Sequence, residues 1–337
     1  PVHPAARRSV PGVARRVDGG ALAFYDGEKR AGTVPLKVLE RVCIRGDLQL
    51  SASVLGKLGE QGVGVLVLSG RKRAPVLLMP SLRVDARRRV VQLRLSADED
   101  FCLQAARGWV AAKISAQAAL LARLAARDAV RQARLAAEEQ VLANVAAQIG
   151  RAADLAALRG LEGAAAAHYF GGWGKILPDS WGFSGRNRRP PRDAVNVVLS
   201  LGYTMLHFEL VRQIYLAGLD PFVGFYHGVA HGRESLVSDL LEPMRPIYDE
   251  WALALLADGV LRPEDFSMRG EGCQMGKAGR LRFYGAFETA AKGWRPLMYR
   301  ACMDLLSALG AAAGETEGFV PSELMILERE DAVADCV

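Results

Sequence analysis

An acid, a histidine and a second acid are the residues of this sequence best suited to chemistry: Glu162 in LRGLEGAAAAHYF, His227 in GFYHGVAHGRESL and Glu242 in SDLLEPMRP. Together they offer hard oxygen ligands and one imidazole, a set that suits a catalytic divalent cation. Asp239 lies one helical turn before Glu242, so both project from one side of the helix expected after Ser235 and can approach one cation. Each has a plainer reading. Taken alone, Glu162 is an acid on a solvent-facing helix, and His227 is a loop histidine with His231 as a competitor. Asp239 and Glu242 are equally acids of a first helical turn, where the helix dipole favours negative charge without any function.

Basic residues form two groups. Arg123, Arg127, Arg131 and Arg134 recur at helical spacing and would stack along one face about 16 Å long, enough to cover a few phosphates of one strand. A solvated face paired with Asp128, Glu138 and Glu139 explains them as well. Arg186, Arg188, Arg189 and Arg192 crowd the loop GFSGRNRRPPRD, where they repel one another unless an anion sits among them, so phosphate binding is favoured there.

The elements that must position these residues change character along the chain. Residues 1–20 read as a tail or linker. Residues 21–95 carry short strand-like runs at 21–25, 42–45, 63–68, 75–79 and 90–95, with one helix near 53–60. Ser96-Ala-Asp-Glu99 has the form of a capping box and opens a helical region over 96–310. Within it, 193–217 and 236–258 have helical periodicity, the latter bent by Pro243 and Pro246. Residues 311–337 read as a C-terminal tail carrying no motif.

Composition narrows the function classes. Of 337 residues, 50% are apolar and 24% charged, which is a globular composition, and the net charge of +6 makes a polyanionic partner reasonable. Five cysteines without close pairing argue against structural zinc and for a reduced, cytoplasmic setting. No uninterrupted apolar run spans a bilayer. Neither a P-loop, nor a GxSxG elbow, nor an HExxH zinc motif occurs.

The string RRPPRDAVNVVLSLGYTML, preceded by LRGLEGAAAAHYF and AARGWVAAKISAQ and followed by GFYHGVAHGRESLVSDLLEPMRP, resembles the CRISPR-associated protein 1 family, the integrases of CRISPR adaptation. That resemblance implies an α+β fold: a small N-terminal β-rich dimerisation domain followed by a larger all-α catalytic domain. It implies that Glu162, His227 and Glu242 hold Mg²⁺ or Mn²⁺, with Asp239 as an accessory ligand, and that the arginine groups hold DNA. The implied activity inserts short foreign DNA into a CRISPR array by attack of a 3′-hydroxyl on a repeat phosphodiester, with nuclease activity where water replaces the hydroxyl. Implied partners are double-stranded DNA, a second copy of the chain, a bridging dimer of CRISPR-associated protein 2, and a reverse transcriptase that some members carry by fusion or association, all in a prokaryotic cytoplasm. The rival is a catalytically inactive basic scaffold that binds nucleic acid within a CRISPR complex. Trp173 and Trp181 are candidates for stacking on splayed bases, with core packing as the alternative.

Overall fold

The structure is a computed structural model and describes residues 15–18, 20–26, 29–39, 41–45, 50–68, 76–80, 84–187, 190–315 and 318–319. The chain divides into two compact units, Pro1–Val84 and Asp85–Val337.

In the first unit, β1 (Arg15–Asp18), β2 (Ala21–Asp26) and β3 (Lys29–Pro35) form an antiparallel meander. A second sheet pairs β4 (Arg41–Arg45) parallel to β5 (Gly64–Leu68), with β6 (Val76–Leu78) antiparallel on the far side of β5. The parallel pair needs a crossover, which α1 (Ala52–Glu60) supplies. Leu22, Val34, Val42, Ile44, Val54, Leu58 and Val65 make the shared core. Strand β1 lies inside the stretch expected to be a tail, of which residues 1–14 and 19 fall outside the described residues.

The second unit begins earlier than expected. Residues 90–95, expected as a fifth strand, belong to α2 (Arg87–Leu95), and the boundary lies after Val84 rather than after residue 95. The buried positions Val91, Gln92 and Leu95 have helical spacing, and Gln92 binds the backbone of Asp220 and Val223. The capping box is also replaced. Ser96 donates to Leu93 O, and Asp98 caps α3 (Glu99–Ala125) by accepting from the Phe101 amide at 2.9 Å.

Helix α4 (Ala129–Ala146) follows a short turn and packs on α3, as does α5 (Leu155–Ile176). Aspartates cap both, Asp128 on the Arg131 amide and Asp154 on the Ala157 amide. Helix α6 (Ala194–Leu216), capped by Asp193, is long and apolar enough to cross a membrane, yet 72% of its most apolar window is buried inside the protein, so its apolar length serves the core. The prolines split the expected 236–258 helix into α7 (Ser235–Leu241), one 3₁₀ turn (Glu242–Met244) and α8 (Arg245–Ala257). The hairpin of β7 (Phe266–Arg269) and β8 (Gly272–Met275) interrupts the domain expected to be all-helical, before α9 (Lys277–Ala313). Beyond α9, Phe319 is buried and Gly318 O accepts from Arg88, so the expected C-terminal tail starts as part of the core; residues 320–337 lie outside the described residues.

Helices α6 and α8 approach so closely that a Cβ on Gly202 would lie 1.9 Å from the Tyr248 ring, whose hydroxyl donates to Val198 O at 2.7 Å. We predict that Gly202→Ala forces the two helices apart and destabilises the protein by about 1–3 kcal/mol; equilibrium urea unfolding measures this.

Candidate active site

The site is assembled around a buried lysine. Lys113 on α3 has a side chain only 8% exposed, and its Nζ bonds Glu162 Oε1 from α5 and, at 2.6 Å, Glu242 Oε2 from the 3₁₀ turn after α7. The remaining oxygens are held too. Tyr226 Oη donates to Glu162 Oε2 at 2.6 Å, and Arg245 Nε donates to Glu242 Oε1 at 2.9 Å. Burial alone would raise the Glu242 carboxyl, but the charges of Arg245 and Lys113 outweigh it and hold the group at about 2. Glu242 is therefore ionised across the physiological range.

His227 is placed from behind. Asp239 on α7 is fully buried; its Oδ1 accepts the His227 amide at 2.8 Å and faces His227 Nδ1 at 2.7 Å, while Oδ2 accepts the amides of Phe225 and Tyr226. A Cβ on Gly224 would lie 2.7 Å from that same Oδ2, so only glycine lets the loop wrap the carboxylate. Both of its oxygens are engaged with the loop, and the contact at Nδ1 orients the His227 ring from behind. His231, the competitor, is exposed.

Among the described residues no group of three or more His, Cys, Asp or Glu side chains forms a ready-made metal cluster. The donor set nonetheless fits a divalent cation. Two carboxylates from different elements already converge on one positive point, Lys113 Nζ, and a His227 Nδ1 proton given to Asp239 leaves Nε2 as a lone-pair donor. Lys113 is the residue that the sequence reading missed. It lies in the buried stripe with Val110, Ile114, Gln117 and Leu121, and a lone cation in such a stripe is the signal that marks it.

Beneath the site, Arg245 stacks over the Tyr203 ring at 4.4 Å, and Asp249 on α8 accepts from Tyr203 at 2.5 Å and Tyr169 at 3.1 Å. Burial lifts the Asp249 carboxyl to about 7 against those hydrogen bonds and the Arg245 charge.

The expected arginine stripe is broken. Arg123 lies in the last turn of α3 and pairs with Glu250, Arg127 lies in the exposed turn, Arg131 on α4 pairs with Asp128, and Arg134 donates to Lys175 O. No single helix carries all four, because α3 ends at Ala125. Of the loop group, Arg186 is turned inward onto Asn196, Ser200 and the Tyr203 ring, and Arg192 is exposed. Arg188 and Arg189 lie outside the described residues. Trp173 and Trp181 are buried, Trp173 among Tyr169, Phe170 and Phe183, so packing is their role.

A family model described as CRISPR associated protein Cas1 matches residues 10–289. The chain is 35% identical over 324 residues to the CRISPR-associated endonuclease Cas1 1 of Thermodesulfovibrio yellowstonii, covering 95% of this chain and 96% of that one. Its fold is shared with a Cas6-RT-Cas1–Cas2 complex, at TM-score 0.74 and 24% identity over 91% of this chain and 35% of that one. A casposase bound to integration product shares it as well, at TM-score 0.73 and 21% identity over 92% and 91% of the two chains. The strand-rich unit followed by a helical unit is thus the Cas1 fold. The chain belongs to the CRISPR-associated protein Cas1 family.

The two displaced carboxyls have opposite pH signatures. Folded Asp249 stays protonated up to about 7, whereas unfolded it ionises near 3.8, so stability falls as pH rises through that window. Glu242 contributes stability above its ordinary 4.5, and that contribution is lost as pH falls towards about 2. We predict that Asp249→Asn removes a loss of a few kcal/mol between about pH 4 and about pH 7, at about 1.4 kcal/mol per pH unit. Urea unfolding of both forms across that range measures it.

Proposed function

We propose that this chain is a metal-dependent DNA integrase and endonuclease of CRISPR adaptation, inserting short foreign DNA fragments into the CRISPR array. The observation that carries this reading is the convergence of Glu162 and Glu242 on one buried positive point, beside a histidine whose Nδ1 is fixed by Asp239, in a chain of the Cas1 family. Glu162, His227 and Glu242 would hold one Mg²⁺ or Mn²⁺, which supplies Lewis acidity towards phosphodiester oxygens, an effect of several kcal/mol.

The chain's own residues do the rest. Arg245 and Lys113 keep Glu242 ionised, Tyr226 fixes the Glu162 carboxylate, and Asp239 fixes the imidazole tautomer. The 3′-hydroxyl of the captured fragment attacks the repeat phosphodiester in line and the bridging oxygen departs as the new 3′-hydroxyl, so the protein needs no nucleophile of its own. With water as attacker the same geometry nicks DNA.

Double-stranded DNA is the substrate on this reading, and the fragment and the repeat both engage the arginine-rich loop that leads into α6. The N-terminal unit dimerises the chain, a dimer of CRISPR-associated protein 2 bridges two such dimers, and a reverse transcriptase joins by fusion or association. A structural relative described as a Cas6-RT-Cas1–Cas2 complex supports the Cas2 and reverse transcriptase partners. The reaction takes place in the prokaryotic cytoplasm, where the array is.

The test is strand transfer of labelled short duplexes into a repeat-bearing plasmid, with the bridging partner and Mg²⁺ or Mn²⁺. Glu162→Gln and His227→Ala are expected to abolish joining while DNA binding persists, and Asp239→Asn to reduce it about 10–100-fold. Tight binding without joining by the parent chain under either metal would favour the scaffold instead.

A further inference from the structure

Resting on that DNA reading, we propose that the β7–β8 hairpin and the end of the arginine-rich loop form one platform that grips a DNA phosphate backbone through Arg269 and Arg192. The two arginines are distant in sequence but are brought together by the backbone. Cys273 N donates to Pro191 O at 2.7 Å, and Arg192 follows Pro191 directly. Gly272 lies against Pro190, where a Cβ would meet the Pro190 Cβ at 3.0 Å, and Arg269 is the register partner of Gly272. The lack of a side chain at 272 is what allows the hairpin tip to seat on the loop.

Both arginines are exposed, and among the described residues neither side chain has an ion pair or hydrogen bond. Other arginines near the site are committed: Arg245 to Glu242, Arg123 to Glu250, and Arg186 to Asn196 and Ser200. The buried Asp193 carboxylate is engaged by Asn187, by the Asn196 amide and by the Asn196 side chain, and among the described residues it forms no ion pair with either arginine. Glu271, in the hairpin turn, is exposed and is the nearest carboxylate to Arg269 in sequence. Backbone contacts brace the two segments that carry these exposed guanidiniums, and a phosphate backbone offers repeating anions to two such charges.

The platform is joined to the active site by a run of contacts. Asn187 Oδ1 accepts from the Arg192 amide at 2.8 Å; Asn196 Oδ1 receives both the Asn187 amide and Arg186; Arg186 and Arg245 lie over the Tyr203 ring, and Arg245 binds Glu242. A DNA strand on the platform is therefore held in fixed register with Glu242.

The experiment is fluorescence anisotropy of a labelled short DNA duplex titrated with the full chain over a salt series. In Arg192→Ala and in Arg269→Ala the slope of log affinity against log salt is expected to shrink by about 0.9 each, and by about twice that in the double variant. Arg269→Lys should keep the parental slope, and Glu271→Gln should tighten binding at fixed salt. Parental slopes in both alanine variants, with the parent bound to DNA, would overturn the platform alone. So would weaker binding with an unchanged slope, since that reports a packing role. A parent that binds no DNA would overturn the DNA reading and the platform with it.

Discussion

Placing an ammonium in the interior costs several kcal/mol of lost hydration, and Lys113 is tolerated there only because Glu162 and Glu242 meet it. The consequence is geometric. Three segments far apart in sequence, the middle of α3, the first half of α5 and the turn after α7, are pinned to one atom. Removing either glutamate would leave the buried ammonium with one partner where it has two, whereas an apolar replacement of all three would relieve the penalty and lose the site. The ion pairs thus serve position more than stability.

The same economy of contacts recurs around Asp239 and Asp249, with opposite outcomes. Asp239 receives three backbone amides and a ring nitrogen, so its buried carboxylate is saturated by donors that also shape the loop carrying His227. Asp249 receives only two tyrosine hydroxyls, which do not offset its burial, and its carboxyl rises to about 7. Four donors hold Asp239 in place, whereas Asp249 has two.

Much of this was legible in the sequence where local chemistry and tertiary demand agree. Asp193 opens the helix expected over 193–217, and Glu162 and Glu242, both singled out in the sequence, meet at Lys113. What failed did so for identifiable reasons. Residues 90–95 alternate like a strand, but the buried positions are Val91, Gln92 and Leu95, the spacing of one helix face. The four-arginine stripe assumed one helix through Arg127 and Asp128, whereas Asp128 spends its carboxylate on starting a new one. Lys113 was passed over because a lysine in an Ala-rich helix reads as solvated, although its spacing from Val110 and Gln117 put it on the buried face.

The arginine-rich loop shows how one run of like charges divides its labour. Arg186 loses its freedom to Asn196, Ser200 and Tyr203, and in doing so fastens the loop to the start of α6. Asn187 and Asn196 then engage both oxygens of Asp193, which ties the loop to the first turn of α6. An arginine beyond that knot keeps its full charge and is presented outward on a backbone already braced by β8. Because the knot leads through Tyr203 and Arg245 to Glu242, the loop and the acids are parts of one rigid polar framework, and charge left exposed at its rim is held in fixed geometry relative to the carboxylates at its centre.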